Sequence, residues 1–143
     1  MTFTHFEYHD LSQFPLVLVR HGHAPQGYAE RWIGEMERLL AQPDAFVLIV
    51  LDLDTEIAHE DRKAMVQWQT ANMARLRERC RGFIAIKQDP SALARTRAQA
   101  EKMTRAFGVA FVAAPDLGAA RATALALLEQ AREAGAALAA GTS

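Results

Sequence analysis

Apolar positions along this chain fall into short runs and helically spaced stretches that predict alternating strands and helices. Phe3 to His9 alternates, with Phe3, His5, Glu7 and His9 set against Thr4, Phe6 and Tyr8. That period of two predicts an edge strand. Asp10-Leu11-Ser12-Gln13 reads as a turn, and Leu16 to His21 as a second strand, hairpin-paired with the first. Tyr28 to Ala41 has helical spacing: Tyr28, Trp32, Met36, Leu39 and Leu40 share a face, while Glu30, Arg31, Glu37 and Arg38 face water. Ala45 to Leu53 contains the continuous run Phe46-Val47-Leu48-Ile49-Val50-Leu51, the pattern of a strand buried on both faces.

Glu60 to Cys80 predicts one long helix with Met65, Trp68 and Leu76 inward. Gly82 to Lys87 is a strand. Ser91 is expected to cap the next helix, whose buried face is Leu93, Thr96, Ala100, Met103 and Phe107 and whose end is Gly108. Val109 to Ala114 is the last strand. Asp116 is placed to cap the final helix, with Leu117, Ala124, Leu128 and Ala131 inward. The alanine- and glycine-rich stretch from Glu133 to Ser143 is expected to fray. The predicted order is ββαβαβαβα, an α/β domain over residues 1–132 with a tail over 133–143. Such an order builds a single, mainly parallel five-stranded sheet with an N-terminal hairpin strand and about four helices. Leu16–Val19 and Phe46–Leu51 should be neighbours in it.

Composition narrows the function more than the fold. Half of the 143 residues are hydrophobic, enough for a real core and against disorder. A net charge of −1 gives no electrostatic case for nucleic acid or an anionic membrane. No apolar run approaches the ~20 residues of a membrane span, and the N-terminus lacks a signal-peptide pattern. The lone Cys80 excludes an intrachain disulfide, fits a reducing cytoplasm and reads as a small core residue.

The polar residues that end the apolar runs carry the candidate chemistry. Arg20, His21 and His23 stand at the end of the second strand, Asp52 and Asp54 at the end of the central one, and His59 precedes the long helix. Ligands of α/β sheets gather at such strand ends. These six form the expected ligand-binding set. Arg20 brings a permanent charge and a planar fork of donors, and the histidines gain charge as pH falls through ~6.5. That edge is expected to bind an anion or a partner's acidic group. His21-x-His23 also suits Zn²⁺ or Fe²⁺, but no spacing fixes a third ligand, so no metal and no cofactor is assigned. Acids at Glu60 and Asp61 read as complements to a helix dipole, and Trp32 and Trp68 as core.

Arg20-His21-Gly22 resembles the opening motif of the histidine phosphatase (phosphoglycerate mutase-like) superfamily. Ser91-Ala92-Leu93-Ala94-Arg95 is similar to that family's second arginine segment, with Ala92 in place of its proline. The resemblance implies His21 as phosphoryl acceptor, with Arg20 and Arg95 offsetting the oxyanion. The family has a second, late histidine, whereas no histidine follows His59 here. Asp52-Leu53-Asp54-Thr55 looks like the Asp-x-Asp of haloacid dehalogenase-type phosphohydrolases, with Glu56 where that family has Thr or Val.

From about Phe14 to Leu128 the element order resembles the SpoIIAA-like branch of the STAS/Sec14-type α/β domains. This implies a non-enzymatic module that binds a partner protein or a small or lipidic ligand, without a cofactor. The Asp-Ser-Ser-Gly phospho-switch of some members is absent, and Thr55 is the only nearby hydroxyl. The expectation is therefore a cytoplasmic regulatory or ligand-binding module, compatible with oligomer formation. The alternative is a histidine phosphatase-like enzyme with an incomplete site.

Overall fold

A computed structural model describes residues 6–22, 24–52 and 56–141. Its five strands are β1 (His9–Asp10), β2 (Leu16–Val19), β3 (Phe46–Val50), β4 (Cys80–Ile86) and β5 (Phe111–Ala114). The helices are α1 (Ala29–Ala41), α2 (His59–Ala71), α3 (Met73–Arg79), α4 (Pro90–Phe107) and α5 (Leu117–Gly141). The strands lie side by side in the order β1-β2-β3-β4-β5. β1 runs antiparallel to β2, with His9 opposite Val19, and the other neighbours are parallel. β2 and β3 pair from Leu16–Val47 to Val19–Val50, as their apolar runs predict.

Side-chain alternation splits the core into two layers. Val17, Val19, Phe46 and Leu48 face Trp32, Met36 and Leu39 of α1, Met65 of α2 and Leu76 of α3. Leu16, Leu18, Val47, Ile49 and Ile84 face the other way, onto Ala120 and Ala124 of α5. Cys80 is buried in the first layer, its thiol pushed up to about 12 by burial, so it is a core residue.

Three expectations need correction. The helix foreseen from Glu60 to Cys80 is two helices, giving ββαβααβαβα and five helices rather than four. It breaks at Asn72, whose Nδ2 donates to Trp68 O at 2.8 Å, a local bond that competes with helix continuation. The cap of α4 is Asp89, not Ser91: Asp89 Oδ2 accepts the Ala92 N–H at 2.8 Å, and Pro90 starts the helix. The edge strand is only His9–Asp10, because the Glu7, Tyr8 and His9 amides turn to a side chain; residues 3–5 lie outside the described residues. The last helix, α5, runs to Gly141. Gly108 does end α4, at φ 72°, and Asp116 does cap α5, accepting the Ala119 N–H at 2.8 Å.

Candidate functional site

The two residues that follow β2 go to opposite sides of the sheet. Arg20 is exposed and lines a hollow with Asp10, Ser12 and Leu18, on the face that Leu18 shares. His21 is buried on the other face, where its ring stacks toward Trp32 at 6.4 Å. Its Nδ1 lies 2.8 Å from the Tyr28 hydroxyl. Arg20 and His21 are therefore adjacent in sequence but do not converge on one ligand.

Asp52, just past β3, reaches back to this loop. Its two oxygens accept the His21 N–H at 2.9 Å each, and Oδ2 also accepts the Gly22 N–H at 2.6 Å. A Cβ at Gly22 would lie 3.1 Å from that oxygen, so glycine permits the approach. Paired loop amides of this kind bind anions, and here the anion is the chain's own carboxylate.

Two further carboxylates repeat the arrangement. Asp61 of α2 is buried, and it accepts the Gly27 N–H at 2.8 Å and the Ala29 N–H at 3.1 Å. It thereby serves the open amides at the start of α1 from another helix. Glu35 of α1 is buried and accepts the amides of Glu7 (2.8 Å), Tyr8 (3.0 Å) and His9 (3.2 Å). His9 Nδ1 lies 2.8 Å from the same carboxylate and donates to it, since Glu35 is acting as acceptor throughout.

The charges follow this geometry. Burial alone would raise the Glu35 carboxyl, but the bonds from His9 and the Glu7 and Tyr8 amides outweigh it and hold it below its ordinary value. Burial lowers His21, as do the neighbouring His9 and Arg62, while Asp52 pulls the other way. Tyr28 is pushed up to about 12 by burial, with Asp61 and Asp52 adding to it, so its hydroxyl keeps its proton. Between the two histidines stands Trp32, 5.4 Å from His9 ring to ring. Trp32 Nε1 and His9 Nε2 are buried without a hydrogen-bond partner among the described residues.

Of the six expected ligand-binding residues, His21 and Asp52 come together. His59 is exposed at the start of α2, and His23 and Asp54 lie outside the described residues. Arg95 is exposed on α4, and the charged groups acting on His21 are Asp52, His9 and Arg62. Among the described residues no group of three or more His, Cys, Asp or Glu could hold a metal ion, and no helix is long and apolar enough to cross a membrane. Sequence reasoning missed His9, Tyr28, Glu35 and Asp61 as parts of this region. Glu35 carried a signal, since it lies three residues after Trp32 and four before Leu39, on the apolar stripe of α1. Comparisons with family models, with curated proteins and with solved structures give no match to this chain.

Proposed function

We propose that this chain is a non-enzymatic, SpoIIAA-like regulatory or ligand-binding module. One observation carries the reading: both oxygens of Asp52 and the amides of His21 and Gly22 satisfy one another. Those amides hold the chain's own carboxylate and offer no open anion site, and a phosphoaspartate mechanism would need that carboxylate free. Arg20, which would offset the oxyanion, lies with Asp10 across the sheet. The antiparallel β1, the parallel strands β2 to β5 and the helices between them support the likeness to SpoIIAA-like domains.

The test is turnover of a generic phosphoester by the purified protein and by His21→Ala. The expected result is no turnover that depends on His21. Turnover lost in His21→Ala overturns the reading in favour of a histidine phosphatase-like enzyme using Arg20, His21 and Arg95.

A further inference from the structure

A cavity of about 280 Å³ lies over β4, away from the His21 region. It exists because α2 packs beside α1 whereas α4 lies over β5, which leaves the strand between them partly uncovered. A central parallel strand is ordinarily covered on both faces, yet Phe83 and Ala85 of β4 are only half-buried. The Phe83 and Phe111 rings are stacked in the floor, 4.8 Å apart and 7° from parallel. Met103 lines the α4 side with a polarisable thioether suited to an aromatic neighbour.

The polar groups are few and neutral. Gln69 from α2, and Thr96 and Gln99 from α4, line the same space. Each carboxamide offers both donors and an acceptor. Val66, one turn before Gln69 on α2, is 53% exposed and extends the apolar surface beside it. At ~30 Å³ per water-sized volume, the cavity holds roughly nine heavy atoms. An apolar space with a few convergent polar groups is the usual form of a small-molecule site.

We propose that this cavity binds a small, uncharged aromatic molecule bearing an amide or similar donor–acceptor group. Its ring packs on the Phe83 and Phe111 pair, and its polar edge meets Gln69 and Gln99. The proposal rests on the ligand-binding reading above and names the ligand class that reading leaves open.

Benzamide is a probe of about the right size. Titrated into the full chain, it should shift the methyl resonances of Met103 and Val50 saturably. Ala85→Leu fills the cavity from its floor and should abolish the shifts. Gln99→Leu, at an exposed helical position, should keep the fold and weaken binding at least threefold. Circular dichroism checks that each variant is folded; should Ala85→Leu unfold, Gln99→Leu and Gln69→Leu carry the test. Absence of saturable shifts in the native protein overturns the proposal. So do shifts that persist undiminished in the variants, or equal binding of cyclohexanecarboxamide, which lacks the aromatic ring. Decanoate binding in place of benzamide also overturns it, in favour of an acyl-chain site. The two readings fail separately, because His21-dependent turnover sinks the non-enzymatic assignment whatever benzamide does.

Discussion

Glu35 is the side chain on which the N-terminal edge of the sheet depends. It replaces a neighbouring strand for three consecutive amides, of Glu7, Tyr8 and His9. Hydrogen bonds to a charged group contribute about 1.5–3 kcal/mol each at most, and a buried donor left open costs about as much. Glu35→Gln should therefore destabilise the protein by about 2 kcal/mol, read as a lower urea midpoint at unchanged slope. Glu30→Gln, exposed on the same helix, should fall within ~0.5 kcal/mol of the native protein.

His21 makes a second prediction at this scale. Its folded pKa is depressed by burial, so between the folded and unfolded values the unfolded chain binds more protons. Its contribution to stability is full above ~6.5 and is lost as pH falls through the folded pKa. Urea midpoints should drop from pH 7 to pH 5 in the native protein and drop less in His21→Gln. A native midpoint that rises over that interval contradicts the assignment.

At the scale of elements, some helix ends are closed by residues from elsewhere in the chain. Arg79 Nε donates to Gln42 O at 3.1 Å, beyond the end of α1, and Arg77 Nε to Phe107 O at 2.6 Å, at the end of α4. A cation at a helix C-terminus also complements the dipole. Glu37 of α1 ties α2 and α3 to its own helix by accepting from Trp68 Nε1 at 3.0 Å and Arg75 Nη2 at 2.8 Å. The local cap of α4 gives a clean comparison. Asp89→Ala should cost about 1 kcal/mol in thermal or urea unfolding, and Ser91→Ala close to nothing.

Elements were readable from the sequence wherever burial alone decides them. Phe46 to Val50 could only be a covered strand, and α1 could only turn Trp32, Met36 and Leu39 inward. What stayed hidden was decided by distant partners. Asp61 reads locally as a first-turn acid of α2, and only the fold brings the Gly27 and Ala29 amides to it. Arg20 and His21 read as a pair, and the pleat of β2 sends them to opposite faces. Asn72 looks like any polar helix residue until its side chain bonds Trp68 O.

The whole molecule is lopsided: α1, α2, α3 and the end of α4 pack on one layer of the core, and α5 covers the other. α5 does so through alanines, with Ala120 and Ala124 fully buried against Ile84, Val47 and Ile49. Small residues bring the helix axis close to the sheet, so enlarging one forces the layers apart. Ala124→Leu should destabilise by about 1–3 kcal/mol, measured as a lower unfolding temperature. Ala126→Leu, exposed on the same helix, should change it little.

The three internal carboxylates also set an order of events. Their amide partners precede them by 26 to 34 residues. A chain synthesised from its N-terminus carries the His21 and Gly22 amides open until Asp52 has emerged, and those of Gly27 and Ala29 until α2 begins to form. Contacts at such separation pay their loop-closure entropy before they return any stability. The β1–β2 hairpin therefore cannot serve as an early, self-sufficient nucleus. It is completed only when the middle of the chain arrives to hold it.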